Sequence, residues 1–230
     1  MMINEHLFND FDELQATLTE NLLSILSKAL VKKGQAVIAV PGGSTPVPLF
    51  QALAKEDLDW KRVTFLLTDE RWVENTHADS NENLLRTHFL NASEAGFIPL
   101  KSKADTAKEG QEATEKKLQK VPLPTDICLL GMGEDGHIAS LFPEAPELKQ
   151  ALDTSNKQRC IAVSPPNTPQ ERLSLTLSAL LNTSQIILLI KGDKKRKIYL
   201  EAKEAKDNIT FPVGHILHQS HAPIDVYWTA

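Results

Sequence analysis

Continuous apolar runs alternate along this chain with segments in which apolar residues recur every three or four positions. The runs predict buried β-strands, and the periodic segments predict amphipathic helices. Strands are predicted at residues 36–40, 63–67, 127–130, 160–164, 185–190 and 224–228, and helices at residues 11–30, 47–53, 81–90 and 105–120. This alternation predicts one α/β domain over residues 1–230, with a mainly parallel, Rossmann-like sheet and helices on both faces.

Two details refine this outline. The first helix has Asn9 or Asp10 available to cap its start and Gly34 placed to end it. Residues 172–177 alternate between polar and apolar side chains, which fits either an extra edge strand or the lead-in to a helix.

Three polar loops follow predicted strands, at residues 41–46, 69–73 and 131–137. Ligands of open α/β sheets lie outside the carboxyl ends of the strands. The three loops are therefore predicted to converge on one pocket.

The first of these loops has the composition of a phosphate site. Gly42, Gly43, Ser44 and Thr45 offer backbone N–H donors and two hydroxyls immediately before a predicted helix. The loop lacks the lysine of a Walker A motif, and a proline stands where a nucleophile elbow needs glycine. A phosphate group is therefore a better match than a nucleoside triphosphate. Lys195, which follows another predicted strand, is a candidate cation for the same phosphate.

The third loop carries the candidates for acid–base chemistry. Its glycines have the G-x-G-x-x-G spacing of a dinucleotide site, but no acidic residue ends the next predicted strand. Pro143 would also stop any helix that begins near Gly136 after about two turns. A catalytic loop is the favoured interpretation, because Asp135 and His137 lie two residues apart and histidine titrates near neutral pH. His137 is thus the candidate general base.

The second loop brings charge to the end of its strand. Alternate residues of a strand point to opposite sides, so Asp69 and Arg71 should share one side and Glu70 should face the other. Asp69 and Asp135 are both candidates to orient His137. A salt-bridged strand end is the alternative interpretation of this triplet.

Composition and charge narrow the range of partners. The 230 residues carry a net charge of −5 with a pI near 5.8, and no basic stripe stands out beyond residues 191–197, so no nucleic-acid partner is expected. No apolar run is long enough to span a membrane, and residues 1–6 lack the order of a signal peptide, which predicts a cytoplasmic protein with no membrane partner. Cys128 and Cys160 lie in apolar runs and are predicted to be buried, reduced thiols.

Three histidines near the end of the chain superficially resemble metal ligands. His215, His218 and His221 recur at every third position. In a helix the first and third would lie about 240° apart, and Pro223 follows closely, so no metal site is predicted there.

These motifs together resemble those of the 6-phosphogluconolactonase family, over nearly the whole chain. The family's L-G-x-G-x-D-G-H-x-A-S-L-F-P signature is complete over residues 130–143. Its S-G-G-S-T-P loop appears at residues 41–46, with Pro41 in place of the usual serine. Its D-E-R and later S-N lie at residues 69–71 and 80–81, its proline-then-arginine segment at residues 169–172, and its G-x-x-K at residues 192–195.

The resemblance implies hydrolysis of 6-phospho-D-glucono-1,5-lactone to 6-phosphogluconate in the oxidative pentose phosphate pathway, without a cofactor or a metal. It also implies a sheet of the type shared with sugar-phosphate isomerases and deaminases; a monomer or weak homodimer is expected. The implied catalytic residues are His137, Asp135, Asp69 and Arg71, and the implied substrate- and phosphate-binding residues are Gly42, Gly43, Ser44, Thr45, Arg172 and Lys195. The role of Arg71 stays open between phosphate, sugar hydroxyl and oxyanion.

Two other functions are compatible with parts of the pattern. A glucosamine-6-phosphate deaminase or isomerase shares the glycine loop and the G-x-G-x-D-G-H segment. That family has tyrosine at the position of Arg71 and an F-N-E-P-type run where this chain has residues 140–143. A non-catalytic sugar-phosphate sensor generally carries a DNA-binding appendage, for which no helix-turn-helix fits in this chain.

Overall fold

Two β-sheets with flanking helices make up the part of the chain that the computed structural model describes, which is residues 3–166, 168–205 and 210–230. The strands are β1 (Ile3–Phe8), β2 (Ala36–Val40), β3 (Val63–Leu67), β4 (Asp69–Arg71), β5 (Gly96–Ile98), β6 (Ile127–Leu130), β7 (Cys160–Val163), β8 (Arg172–Leu175), β9 (Ile186–Lys191) and β10 (Ile224–Thr229). The α-helices are α1 (Phe11–Lys33), α2 (Val47–Leu53), α3 (Asn81–His88), α4 (Ala107–Leu118), α5 (Leu148–Ala151), α6 (Leu177–Leu181), α7 (Asp193–Glu204) and α8 (Pro212–Leu217).

The larger sheet has seven strands in the order β1-β10-β9-β6-β2-β3-β5, and every pair in it is parallel. Helix α1 packs against β1, β2 and β10, while α7 packs against β9. All residues of β2 and β6 are buried, as expected for inner strands with apolar residues at every position. The predicted mainly parallel α/β architecture is confirmed.

The smaller sheet was not expected from the sequence. It contains β4, β8 and β7, joined by antiparallel pairing. The segment predicted at residues 160–164 is thus a strand of this second sheet. Residues 172–175 form its middle strand, so of the two interpretations of residues 172–177 the edge strand was wrong, whereas the lead-in to a helix is confirmed, because α6 begins at Leu177. Thr68 connects the two sheets. Its N–H donates to the carbonyl of Val40 in the larger sheet, and its carbonyl accepts from the N–H of Leu175 in the smaller sheet.

The helix ends follow the capping signals of the sequence. The Asp10 side chain accepts from the backbone N–H of Glu13 at 2.8 Å, and Gly34 ends α1 with a φ of 76°. Thr106 and Glu109 form a capping box at the start of α4.

Strand β1 and the short β5, α5 and α8 were not predicted, because each is brief or rich in polar residues. None of the described helices is long and apolar enough to cross a membrane.

Candidate active site

A cavity of about 290 Å³ opens at the carboxyl ends of the strands in the larger sheet. The three polar loops converge there, as the sequence predicts. The lining residues are Pro41, Gly42, Gly43, Ser44, Thr45, Pro46, Asp69, Arg71, Asn81, Gly131, Met132, Gly133, His137, Ala139, Leu189 and Lys195. Eight of the ten predicted site residues are in this set; Asp135 and Arg172 are not.

The glycine loop forms one wall of the cavity and packs tightly on α3. Gly43 has a φ of 85°, a conformation that favours glycine. A Cβ atom on Gly42 would lie 1.8 Å from the Asn81 Oδ1 atom, so the asparagine amide occupies the space that any larger residue would need. The Asn81 Nδ2 atom donates to the carbonyl of Asp69 at 2.8 Å. Asn81 therefore links the glycine loop to β4, a role that the sequence analysis missed.

Alanine at position 42 is expected to destabilise the protein by about 1–3 kcal/mol, because its methyl group would displace the buried Asn81 amide. Combining Gly42→Ala with Asn81→Ala makes room for the methyl group, so the double variant should lose less stability than the sum of the single losses. Urea unfolding measures each free energy. Gly131→Ala is the matched control, because a Cβ there would lie within 4 Å of no atom of the described residues other than its chain neighbours. Additive losses of stability at positions 42 and 81 would contradict the packing argument.

The loop after β6 is a tight turn, and no helix begins near Gly136 or His137. Gly136 has a φ of 78°, and the Gly133 N–H donates to the carbonyl of His137 at 2.9 Å. Ala139 also has a positive φ, of 47°. The buried side chains of Ile138 and Leu141 draw the segment into the core, and the Ser140 N–H donates to the Ser174 hydroxyl rather than to a helical carbonyl.

Within this turn, Asp135 orients His137. The Nδ1–H of His137 donates to the Asp135 Oδ1 atom at 2.6 Å, which leaves Nε2 as the acceptor. Burial acts to raise the pKa of Asp135, but the hydrogen bond and charge of His137 outweigh it and lower that pKa. The ring of His137 packs beside Phe142 at a centroid distance of 4.4 Å. It also lies over Gly133, where a Cβ would be 2.2 Å from the Nδ1 atom.

Asp69, the other carboxylate considered for this role, has different partners. The Ser140 hydroxyl donates to its Oδ2 atom at 2.6 Å, and the Thr68 hydroxyl donates to its Oδ1 atom at 3.2 Å. Asp69 and Arg71 both line the cavity while Glu70 is buried on the other side of β4, as the strand alternation predicts. No ion pair between Asp69 and Arg71 occurs among the described residues; instead, the Arg71 Nη1 atom donates to the carbonyl of Asp79 at 2.6 Å.

Arg172 lies directly opposite Arg71 in the pairing of β4 with β8. The residue is only 7% exposed, and its Nε atom has no hydrogen-bond partner among the described residues. Burial and the charge of Arg71 lower the pKa of Arg172. Arg71 and Arg172 are therefore cross-strand neighbours whose positive charges act on each other, an arrangement that favours an anion nearby.

The three C-terminal histidines do not converge. His218 Nε2 lies 3.0 Å from the carbonyl of Ala202, and the His221 side chain is exposed. Within residues 3–166, 168–205 and 210–230, no group of three or more His, Cys, Asp and Glu side chains is arranged to hold a metal ion.

Fold and site define a parallel α/β protein with a glycine loop and an aspartate–histidine pair at the carboxyl ends of its strands. The family model described as "Glucosamine-6-phosphate isomerases/6-phosphogluconolactonase" matches residues 9–228. The chain belongs to this family.

Individual relatives agree with that assignment. A 6-phosphogluconolactonase of Pseudomonas putida is 39% identical over 228 residues, which cover 98% of this chain and 93% of the relative. The crystal structure of a 6-phosphogluconolactonase from Shewanella baltica superposes with a TM-score of 0.96 at 38% identity, covering 100% of this chain and 98% of the other. A monomeric glucosamine-6-phosphate deaminase shares the fold, with a TM-score of 0.80 at 18% identity and 97% coverage of both chains.

Proposed function

We propose that this protein is a carboxylic ester hydrolase that converts 6-phospho-D-glucono-1,5-lactone to 6-phosphogluconate in the oxidative pentose phosphate pathway. The observation that carries the proposal is the Asp135–His137 hydrogen bond of 2.6 Å at a cavity that also contains the glycine loop and Lys195. Membership of the lactonase-containing family and 39% identity to a 6-phosphogluconolactonase support this substrate.

The reaction needs a base, because water is a poor nucleophile toward the lactone carbonyl. His137 Nε2 accepts a proton from water as the water oxygen attacks the carbonyl carbon, and Asp135 stabilises the imidazolium that forms. The tetrahedral intermediate then collapses, the bond from the carbonyl carbon to the ring oxygen breaks, and His137 returns the proton to that oxygen. The product is an open-chain acid, which loses its own proton at neutral pH.

The substrate's two negative centres have separate candidate partners. We assign the phosphate to the Gly42, Gly43, Ser44 and Thr45 loop and to Lys195, which all line the cavity. We assign the developing oxyanion to Arg71. The guanidinium of Arg71 is held in place by its hydrogen bond to the backbone carbonyl of Asp79. Asp69 is held by two hydroxyl donors and serves as an acceptor for the substrate's hydroxyl groups. Arg172 as a phosphate ligand stays a prediction, with its charge beside Arg71 as support.

A coupled assay that generates fresh lactone tests the function. The protein is expected to remove the lactone faster than spontaneous hydrolysis does. The main competing function is glucosamine-6-phosphate deamination, so ammonia release from glucosamine 6-phosphate, without acceleration of lactone loss, would overturn the proposal.

Lys195→Met is expected to raise KM about 10- to 100-fold with a smaller change in kcat, because a charge-assisted contact to the phosphate is lost in both ground state and transition state. The matched control is Lys194→Met, because Lys194 is exposed and does not line the cavity. Equal kinetics of the Lys195 variant and the wild type would remove Lys195 from the phosphate site.

We place the protein in the cytoplasm. Cys128 and Cys160 are both free and buried, as the sequence predicts, and burial raises the pKa of Cys128 to about 12, so this thiol stays protonated. A monomer or weak homodimer stays a prediction.

A further inference from the structure

Glu70 is a buried carboxylate that the proposed chemistry does not use. The residue is 1% exposed, and because alternate residues of a strand point to opposite sides, it lies on the side of β4 opposite to Asp69 and Arg71. The ion pairs found among the described residues do not include it. A carboxylate is costly to bury without a cation, so its hydrogen bonds must compensate for the lost water.

Four donors surround this carboxylate. The Oε1 atom accepts from the backbone N–H groups of Arg71 and Asn81, both at 2.7 Å. The Oε2 atom accepts from the Glu82 N–H at 2.8 Å and from the Ser80 hydroxyl at 3.1 Å. Glu70 therefore ties the end of β4 to the first turn of α3.

Two of these four donors belong to residues of the cavity wall. Arg71 carries the guanidinium assigned to the oxyanion, and Asn81 packs against Gly42 of the phosphate loop. The Asn81 side chain also donates to the Asp69 carbonyl at 2.8 Å. The Glu70 carboxylate, which lies behind the cavity wall, thus holds the backbone that presents Asp69, Arg71 and Asn81 to the substrate.

We propose that Glu70 is a positioning residue for substrate binding, and that its ionised carboxylate holds Arg71 and Asn81 in the conformation that the phosphorylated substrate requires. The inference rests on the proposed function for the identity of that substrate. Protonation turns one acceptor oxygen into an O–H donor that faces N–H donors, so a protonated Glu70 can no longer accept all four hydrogen bonds.

The carboxylate titrates in an accessible pH range. Burial raises the pKa of Glu70 to about 6, although the N–H groups of Asn81, Glu82 and Arg71 act to lower it and the charge of Asp69 acts to raise it further. The other charged groups around the Glu70 carboxylate are Arg71 on β4, Arg172 on β8 and Glu82 on α3. Glu82 forms an ion pair with Arg86. As pH falls below about 6, Glu70 becomes neutral and the site should bind its anionic ligand more weakly.

The test measures the binding of 6-phosphogluconate by calorimetry between pH 5 and pH 8, for the wild type, Glu70→Gln and Glu109→Gln. Glu109 is the matched control, because it is an exposed glutamate that caps α4 and does not line the cavity. At pH 7.5 the Glu70→Gln variant should bind about tenfold more weakly than the wild type, while Glu109→Gln should match the wild type. Titration of the ligand phosphate is common to all three proteins. Any part of the pH dependence of binding that the wild type and Glu109→Gln show but Glu70→Gln lacks is therefore due to Glu70.

An NMR titration of the free wild-type protein provides a second measurement that needs no variant. The backbone amide signals of Arg71, Asn81 and Glu82 should shift together, with a midpoint between pH 5 and pH 7. Absence of that shared titration, or an unchanged pH dependence of binding in Glu70→Gln, would overturn the positioning role. Wild-type protein that binds 6-phosphogluconate as described but does not accelerate lactone loss would contradict only the proposed function.

Discussion

Replacing His137 by alanine is expected to lower kcat for the lactone about 10²- to 10⁴-fold, with little change in KM. In the proposed mechanism the imidazole removes a proton from water in the transition state, whereas the proposed phosphate partners, the glycine loop and Lys195 of the cavity wall, act in both ground state and transition state. The loss should be measured with freshly generated lactone, after the spontaneous rate has been subtracted.

The control for this variant is His221→Ala. His221 is exposed and does not line the cavity, so its removal should leave both kinetic constants unchanged. If the His137 variant retained nearly full activity across neutral pH, another group would have to be the base.

Arg71→Met is expected to lower kcat about 10²- to 10³-fold, because an oxyanion donor acts mainly when negative charge develops on the carbonyl oxygen. The change in KM should be smaller, since the substitution leaves the proposed phosphate partners in place. Arg71→Lys should recover only part of the rate, because an ammonium group cannot present two parallel N–H donors.

Arg196→Met is a suitable comparison, because Arg196 stacks on Trp228 at 4.0 Å and does not line the cavity. A raised KM with an unchanged kcat in Arg71→Met would assign this arginine to ground-state binding of the phosphate or a hydroxyl, and would contradict the oxyanion role.

Much of the fold could be predicted because its inner strands are continuous apolar runs. Residues 36–40 and 127–130 have apolar side chains at every position, which only a strand covered on both faces can bury. Helix α1 was equally clear, since its apolar residues repeat with a helical period between Asp10 and Gly34. Strand β1 was missed because three of its six residues are polar and three are exposed, as suits an edge strand.

The second sheet could not be predicted from the same signals. An apolar run such as residues 160–163 shows that a strand is buried, but it does not show which strand it pairs with or in which direction. That choice depends on Thr68, which bonds to Val40 and Leu175 and so directs β4 away from the large sheet. The placement of Arg172 beside Arg71 follows from this pairing.

The sequence by itself determined the order of the buried apolar strands and of helices α1 to α4, the three loops at the carboxyl ends of the strands, and the proximity of Asp135 to His137, because these depend on local spacing and on the periodicity of apolar residues. Only the tertiary structure decided that Asp135 rather than Asp69 orients His137, and that Glu70 and Asn81 support the cavity wall. Those contacts join residues from different elements or depend on how a side chain packs against its neighbours, and spacing along the chain does not encode such packing.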